Sequence, residues 1–384
     1  MTKFVFQSTP KLIFGENSVD LLTEEMLGLQ VANAFFICDP VIKTLSFWDK
    51  ITKELQKKDF KYSVFDSIIS DPDYDIADAA TKEALKTNCD IIIGVGGGSA
   101  LDIAKIVSIS SVTGESCKEL MNKKDIAQKG CPLILIPTTA GTGSEVTHIS
   151  ILSDNKEQTK NGLVSPKLYA DIAILDPIIT LSLPPNITAF SGLDAIIHAL
   201  EALTSRLANP FTDILALEAL KVLYDNILDA FNDGQDIDAR TQMLYGSMLA
   251  GKAFANSSVG AIHAFAYPIG AEYHIPHGLA NSIMLTPVLR FNLSATPDKY
   301  AKAARAIGID TLGITNLAAS ELLLTKLDKL VDELKISRFL RFYGVSKSDI
   351  PRLSEKVMKI TRLLNNNPQK ISLKDAENLY LEAL

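Results

Sequence analysis

The sequence has few of the residues that would place it in several common classes of protein. Its four cysteines, Cys38, Cys89, Cys117 and Cys131, form no C-x-x-C pair, so their spacing indicates neither a zinc finger nor a redox motif. Cys38 and Cys89 lie among apolar residues and are predicted to be reduced and packed. Lysine and arginine total 38 against 45 aspartates and glutamates, without a basic run, which argues against nucleic acid or an anionic membrane as a partner.

Long apolar runs are also missing. The opening segment MTKFVFQSTPKL is interrupted by polar residues and is not expected to act as a signal peptide, and no stretch is expected to approach the length of a membrane span. We therefore expect a cytoplasmic protein. A chain of 384 residues with 47% apolar composition is too long for one ordinary core and predicts two domains.

The first half of the sequence alternates short apolar runs with helical patterns. Four of these runs are predicted to be buried strands: 34–38, 90–95, 133–136 and 172–175. Continuous apolar strands with helices between them are typical of a parallel sheet that is covered on both faces. Residues 1–184 are therefore predicted to form an α/β domain with a parallel sheet.

The second half has no strand pattern. Apolar residues recur at helical spacing in six segments: 188–205, 210–231, 237–255, 300–307, 317–334 and 353–364. Residues 185–384 are therefore predicted to form an all-helical domain. No low-complexity linker separates the two halves, so we expect them to abut, with the binding site in the cleft between them.

A glycine loop follows the second predicted strand. Gly96, Gly97 and Gly98 are followed by Ser99 and by a predicted helix. Glycines allow the backbone to approach a pyrophosphate, and a helix N-terminus offers free N–H groups. An ordinary tight turn is the alternative, but three consecutive glycines with a serine favour phosphate binding. When the pattern G-x-G-x-x-G is aligned from Gly94, Ser99 stands at its last glycine, so the common Rossmann pattern is not matched.

Two further strand ends carry polar residues. The third predicted strand is followed by Pro137 and a loop that contains Thr138, Thr139 and Thr142, whose hydroxyls suit a phosphate or a ribose. Asp39 follows the first predicted strand, where its carboxylate could accept hydrogen bonds from the adenosine ribose and repel a 2′-phosphate. A simple Asp-Pro turn is the other interpretation of Asp39, and both stay open.

Residues suited to a metal ion occur in the second half. Asp194 and His198 are four residues apart among apolar residues, so they share one helix face and need polar partners there. His263 also lies in an apolar setting, and His277 is predicted to be held by a Pro-His-Gly turn. One carboxylate and three imidazoles suit Fe(II) or Zn(II) with room for a substrate oxygen. His274 is expected at the rim and not as a ligand.

These motifs, in this order, resemble those of the iron-containing (group III) alcohol dehydrogenases, which share the dehydroquinate synthase-like fold. The resemblance runs from Thr9-Pro10-Lys11 to Asn367-Pro368. It implies metal ligands at Asp194, His198, His263 and His277, and a substrate pocket lined by Phe254 and Ile149. The dinucleotide contacts that it implies are Asp39, Gly96, Gly97, Gly98, Ser99, Asp102, Thr138, Thr139, Thr142, Thr147 and Lys160. An acidic residue at position 39 is found in members that prefer NAD to NADP.

The chain departs from the family's pattern at several positions. Tyr267 stands where members similar to lactaldehyde reductase have a second histidine, so Tyr267 is a candidate catalytic residue, with a packing role as the alternative. Asp71 stands where many members have asparagine, and Ile149 replaces a polar pocket residue of some members, which hints at a more apolar substrate. His148 is left without an assigned role.

The function implied by the resemblance is NAD-linked oxidation of small primary alcohols, or reduction of the aldehydes, at a divalent metal in a homodimer or larger oligomer. Three alternatives stay open: a hydroxyacid-oxoacid transhydrogenase, a lyase similar to dehydroquinate synthase, and a non-catalytic metal-binding protein. The lyase needs a basic pocket for a phosphorylated acid, whereas the segment from His263 to His277 is apolar.

Overall fold

A computed structural model describes residues 3–123, 125–155 and 159–384. The chain divides into two compact units. The α/β unit consists of Gln7–Leu183, and the helical unit consists of Pro184–Leu384 together with Met1–Phe6. The candidate dinucleotide residues all lie in the α/β unit and the candidate metal ligands all lie in the helical unit.

The α/β unit is built around a parallel sheet with the strand order β1-β8-β5-β4-β2-β3. Its strands are β1 (Lys11–Phe14), β2 (Asn33–Cys38), β3 (Lys61–Phe65), β4 (Ile91–Gly96), β5 (Leu133–Pro137) and β8 (Ile172–Leu175). Strands β6 (Ile149–Asp154) and β7 (Thr159–Val164) form a separate antiparallel pair. Its helices are α1 (Leu22–Gly28), α2 (Ser46–Lys57), α3 (Tyr74–Thr87), α4 (Gly98–Thr113), α5 (Cys117–Met121) and α6 (Pro177–Thr180).

Both faces of the sheet are buried, as the continuous apolar strands predict. Along β2, Phe35 and Ile37 pack in one apolar cluster with α3 and α4, whereas Phe36 and Cys38 pack in a second cluster with α1 and α2. Successive side chains of a strand point to opposite faces, so helices on both sides require apolar residues at every position. The four predicted strands are confirmed to within one residue at each end.

The pattern did not predict β1, β3 or the β6–β7 pair. Strand β3, with sequence KYSVF, is only partly buried and carries fewer apolar residues than the central strands. Strand β1 lies at the other edge of the sheet and is also partly exposed. Edge strands have one unpaired side and need less apolar sequence, so they leave a weaker signal.

The helical unit contains the long helices that the sequence predicts. Its helices are α7 (Pro185–Thr204), α8 (Pro210–Asn232), α9 (Ile237–Ala255), α10 (Ala261–Tyr273), α11 (His277–Asn292), α12 (Pro297–Ala306), α13 (Asn316–Glu333), α14 (Ile350–Met358), α15 (Thr361–Leu364) and α16 (Leu373–Glu382). The single helix predicted over 353–364 is wrong, because Ile360 has a non-helical ψ of 53° and separates α14 from α15. Helices α10 and α11 continue through Pro268 and Pro287, respectively.

Helix α7 corrects the expectation that no stretch of the sequence approaches the length of a membrane span. An 18-residue stretch of this 20-residue helix has a mean hydropathy of 1.2, so by length and composition it could cross a membrane. However, 83% of this apolar stretch is buried inside the protein. Core helices pass the same test of length and composition, so the hydropathy of α7 is explained by its central position among α8, α9 and α11.

Candidate metal and dinucleotide sites

Helix α7 presents three polar side chains on one buried face. Asp194, His198 and Glu201 follow one another at intervals of four and three residues and are all buried. That spacing brings side chains over each other on successive helical turns. A carboxylate, an imidazole and a second carboxylate in an apolar helix need partners, since isolated burial of charge is strongly unfavourable.

The first partner is His263, in the first turn of α10. Its Nδ1 lies 2.6 Å from Oε2 of Glu201, and its Nε2 lies 3.0 Å from Nε2 of His198. The rings of His198 and His263 are stacked with their centroids 4.6 Å apart. The Glu201 carboxylate can only accept, so it fixes the proton of His263 on Nδ1 and leaves the Nε2 lone pair facing Asp194 and His198.

The second partner is His277, the first residue of α11. The predicted Pro-His-Gly turn is wrong at this point, because Pro276 is the N-cap of α11 and the helix begins at His277 itself. Gly278 permits this placement. A Cβ atom at position 278 would lie 2.4 Å from the carbonyl oxygen of Phe190 in α7, so only glycine allows the two helices to approach so closely.

Three of the four predicted ligands form one cluster. Oδ1 of Asp194 lies 3.6 Å from Nε2 of His263 and 4.0 Å from Nε2 of His277, and the ligand atoms of these three residues lie within 4.8 Å of one another. His198 is not part of this group of three, but its Nε2 lies 3.0 Å from Nε2 of His263 and its Nδ1 lies 3.9 Å from Oδ2 of Asp194. Tetrahedral ligands at about 2.1 Å from a metal are about 3.4 Å apart, so the observed separations fit one ion.

The charge of the set also fits a cation. Burial acts to raise the pKa of Asp194, but the imidazoles of His198, His277 and His263 and the amide of Asn281 outweigh it and hold the pKa below its usual value. Asp194 therefore stays anionic beside the three imidazoles. One anionic oxygen with three imidazole nitrogens is a donor set typical of Fe(II) or Zn(II).

Two residues of this site were not predicted. Glu201 binds His263, and Asn281 donates from Nδ2 to Oδ1 of Asp194 at 2.7 Å while its Nδ2 also lies 3.2 Å from Nε2 of His277. Both continue a helical spacing that the sequence contains, because Asn281 is four residues after His277 and Glu201 is three after His198. The spacing could have flagged them, but only the packing of α10 and α11 on α7 shows what they contact.

Aromatic residues surround the candidate metal ligands. Phe254 of α9 stacks on His198 with ring centroids 4.4 Å apart. The ring of Tyr267, one turn after His263 on α10, is 6.0 Å from that of His277. His274 is exposed at the C-cap of α10 with a φ of 53°, as expected for a residue outside the ligand set.

In the α/β unit, the carboxyl ends of three adjacent strands bring the predicted loops together. Asp39 follows β2, the glycine loop follows β4, and Thr138 follows β5. Oδ2 of Asp39 accepts a hydrogen bond from the backbone N–H of Gly97 at 3.2 Å, and the Thr138 N–H donates to the Gly96 carbonyl at 2.9 Å. Gly96 has a φ of 155°, and a Cβ there would lie 2.4 Å from Oδ2 of Asp39, so glycine is required.

The glycine loop leads directly into α4. Gly97, which has no side chain, is the N-cap of this helix of 16 residues. Gly97, Gly98 and Ser99 are partly exposed. The first N–H groups of a helix have no partner within the helix and carry the positive end of its dipole, so this end of α4 is suited to a phosphate. Thr139 and Thr142 flank Gly97 and Gly98, respectively.

Behind these loops lies a buried lysine that was not predicted as a site residue. Nζ of Lys105 donates to Oγ of Ser144 at 2.7 Å, to Oγ1 of Thr147 at 3.1 Å and to the carbonyl of Ile149 at 2.6 Å. Asp102 accepts from Ser144 at 2.5 Å and from the N–H of Ile151 at 2.8 Å. Burial lowers the pKa of Lys105, and the nearby Asp102 opposes this shift. The network ties α4 to the threonine loop and to β6.

Two other residues of the α/β unit also have internal partners. Nζ of Lys160 forms an ion pair with Oδ1 of Asp71 at 2.6 Å, and the Lys160 side chain is almost fully buried. Nδ1 of His148 lies 3.1 Å from the hydroxyl of Tyr169, which donates to the carbonyl of Gln7. Burial and the positive charge of Lys105 lower the pKa of His148 to about 4, so this ring is neutral near pH 7.

Comparison with known proteins shows the family. Residues 9–177 match the family described as iron-containing alcohol dehydrogenase, and residues 188–384 match the C-terminal part of the Fe-containing alcohol dehydrogenase family. Long-chain-alcohol dehydrogenase 1 of Geobacillus thermodenitrificans is 34% identical over 95% of this chain and 93% of its own.

Solved structures of alcohol and aldehyde oxidoreductases are also similar to this chain over its whole length. The crystal structure of a 1,3-propanediol oxidoreductase has a TM-score of 0.96 and 30% identity, with 100% of both chains covered. The sulfoacetaldehyde reductase of Bifidobacterium kashiwanohense, solved in complex with NAD+, has a TM-score of 0.89 and 26% identity over 100% of this chain and 99% of its own.

The chain belongs to the iron-containing alcohol dehydrogenase family. The predicted α/β and helical architecture and the resemblance to this family are confirmed. The protein is an oxidoreductase that acts on CH–OH groups, and its family implies a divalent metal. A cytoplasmic location and a homodimeric state stay predictions.

Proposed function

We propose that the protein interconverts a small primary alcohol and its aldehyde with NAD as the hydride carrier, at one Fe(II) or Zn(II) ion held by Asp194, His198, His263 and His277. The observation that carries this proposal is the cluster of one anionic carboxylate and two imidazoles, Asp194, His263 and His277, with a third imidazole, His198, 3.0 Å from His263, in the helical unit. When bound, the cation would polarise the substrate oxygen and the nicotinamide ring would exchange the hydride.

The residues of the helical unit have separable tasks in this proposal. Asp194 supplies the negative charge that offsets the cation, and the imidazoles supply neutral donors. Phe254, stacked on His198, would keep water from that side of the ligands and offer an apolar wall to a carbon chain. The hydroxyl of Tyr267 would pass a hydrogen bond between the substrate oxygen and water, since a phenol is a poor base near pH 7.

The residues of the α/β unit would hold the dinucleotide. The N-terminus of α4 and the glycine loop would bind the pyrophosphate, and Thr138, Thr139 and Thr142 would supply hydroxyl donors. Asp39 would bind the adenosine ribose and disfavour NADP. Asp102, Thr147 and Lys160 have internal partners, so in this proposal they shape the site, through the network behind the loops and through the pair with Asp71.

The substrate is proposed to be apolar. Ile149 is half-buried at the start of β6, with its carbonyl held by Lys105, and its side chain offers no hydrogen bond to a charged substrate. The related proteins named above act, by their names, on long-chain alcohols, 1,3-propanediol and sulfoacetaldehyde. A panel containing these three classes therefore tests chain length and charge together.

The proposal is tested with purified protein reconstituted with Fe(II) or Zn(II). Reduction of NAD and NADP is followed by absorbance with each alcohol, and oxidation of NADH with each aldehyde. Hydride transfer from a hydroxy acid to an added second oxo acid, which is reduced to its own hydroxy acid without added NAD, would instead indicate the transhydrogenase. Absence of nicotinamide-linked turnover with every alcohol and aldehyde would contradict the proposal.

Metal content tests the ligand assignment separately. His263→Ala and His277→Ala should each lose most of the bound metal in elemental analysis, because each removes one of four donors. His274→Asn is the matched control, since it changes an exposed histidine and asparagine tolerates the left-handed backbone at that position. Full metal content in both ligand variants would show that the assignment is wrong.

A further inference from the structure

Glu201 is a buried carboxylate with two donors and no direct place among the proposed ligands. Its Oε1 accepts from the backbone N–H of Ile262 at 2.7 Å, and its Oε2 accepts from Nδ1 of His263 at 2.6 Å. Gly260, the N-cap of α10, has no side chain to cap that helix, so Glu201 of α7 supplies the missing acceptor. One side chain therefore fixes both the start of α10 and the imidazole in its first turn.

The hydrogen bond to Glu201 determines which ring nitrogen of His263 carries the proton. A proton donated from Nδ1 to Glu201 leaves Nε2 unprotonated, and Nε2 is the atom that faces Asp194 at 3.6 Å and His198 at 3.0 Å. A histidine whose far nitrogen is bound by a carboxylate is held in one tautomer and one ring orientation, and its metal-binding nitrogen becomes more basic.

We propose that Glu201 is a positioning residue that sets the metal affinity of the site through His263, without contacting the metal. This inference rests on the proposed assignment of Asp194, His198, His263 and His277 as ligands. The geometry requires an acceptor for two donors at once, and a carboxylate provides one oxygen to each.

An amide of the same size cannot do this. Glutamine at position 201 has one oxygen and one NH2 group, so either the N–H of Ile262 or Nδ1 of His263 must face a donor. If the oxygen stays with Ile262, the NH2 group favours the tautomer of His263 that is protonated on Nε2. That tautomer has no lone pair on Nε2, the nitrogen that faces Asp194 and His198, so His263 becomes a weaker ligand.

The test measures Zn(II) binding by competition with a chromogenic chelator, and it does not depend on turnover. Glu201→Gln should weaken Zn(II) binding by about 10–100-fold, the range found when such partners of metal-bound histidines are removed. Ser282→Ala is the matched control, because it removes a buried hydroxyl of α11 that donates only to the carbonyl of Gly278 in its own helix. Ser282→Ala should bind Zn(II) as wild type does.

A second background separates positioning from general damage. His263→Ala removes the imidazole through which Glu201 is proposed to act on the metal site. Adding Glu201→Gln to this variant should therefore change the remaining Zn(II) affinity by no more than about twofold. If Glu201→Gln does not fold, Glu201→Asp carries the same comparison, since the shorter side chain keeps the charge but cannot reach both donors. It should bind Zn(II) more weakly than wild type.

The outcomes are distinct. Equal Zn(II) affinity of Glu201→Gln and wild type, or an equal loss in both backgrounds, would overturn the positioning role and leave the ligand assignment intact. A wild-type protein that binds no Zn(II) or Fe(II) would overturn the proposed metal site itself and this inference with it. A large loss in the wild-type background that disappears without His263 supports the inference.

Discussion

The contact between Gly278 and α7 gives a perturbation whose size follows from the structure. In Gly278→Ala the new methyl group would lie 2.4 Å from the carbonyl oxygen of Phe190, well inside the 3.0 Å that Cβ atoms essentially never cross. The start of α11 must therefore move away from α7 by more than about half an ångström. The partner atom is backbone, so a side-chain rotation cannot relieve the clash.

Two consequences are expected. Overpacking of this kind lowers the free energy of unfolding by about 1–3 kcal/mol. His277 is the residue directly before Gly278 and moves with it, whereas metal–ligand distances in well-formed sites stay within about 0.2 Å of their usual values. We therefore expect Gly278→Ala to bind Zn(II) at least about tenfold more weakly than wild type, beyond its loss of stability.

Urea unfolding and chelator competition measure the two effects. Gly28→Ala is the control, since a Cβ at the end of α1 meets nothing within 4 Å and alanine favours a helix. Gly28→Ala should keep wild-type stability or gain slightly, with unchanged metal binding. If Gly278→Ala matches wild type in both measurements, the close approach of α11 to α7 does not hold His277 in place.

Three further predictions concern residues outside the metal ligands. Asp39→Gly should raise kcat/KM with NADP relative to NAD by at least about tenfold, because a carboxylate that repels the 2′-phosphate is removed; a wild type that already prefers NADP would refute this role. Tyr267→Phe should keep its metal and lose turnover by no more than about 10²–10⁴-fold, and full activity at every pH would leave Tyr267 a packing role only. The pKa of His148 is lowered to about 4 in the folded protein against 6.5 for the free side chain, so the unfolded chain binds the extra proton between these values and stability falls as the pH drops through that window. Between pH 6.5 and pH 4, the free energy of unfolding measured in urea should therefore fall by up to about 3 kcal/mol less in His148→Phe than in wild type. An equal fall in both proteins would contradict this.

The sequence was sufficient for the central strands and for most of the long helices of the helical unit. Strands β2, β4, β5 and β8 are buried on both faces, so an apolar residue is required at every position and the run itself shows the element. Helix α8 was predicted to within one residue at its end from its apolar spacing, and in the structure the Asn209 cap and Pro210 mark its start. Such signals are local and need no knowledge of the partner surface.

The candidate ligands could also be chosen from the sequence, because few histidines occur and because His198 and His263 have apolar neighbours that make an unpartnered imidazole unfavourable; His277 was chosen from its Pro-His-Gly setting and from the resemblance to the family. The residues that orient them could not. Glu201 and Asn281 are ordinary polar residues on helices until α10 and α11 pack against α7 and bring His263 and Asp194 within 2.6–2.7 Å of them.

Tertiary structure alone decided which charges are already paired. The sequence shows Lys160 and Asp71 far apart and Lys105 as one residue of an apolar helix, but the fold pairs the first two and surrounds the third with Ser144, Thr147 and Ile149. Hydrogen bonds and ion pairs between distant segments depend on how the elements pack and are not recorded in local spacing. Residue types and periodicity therefore determined the class of chemistry and the elements that carry it, whereas packing determined the hydrogen-bond partners that set the tautomer of His263.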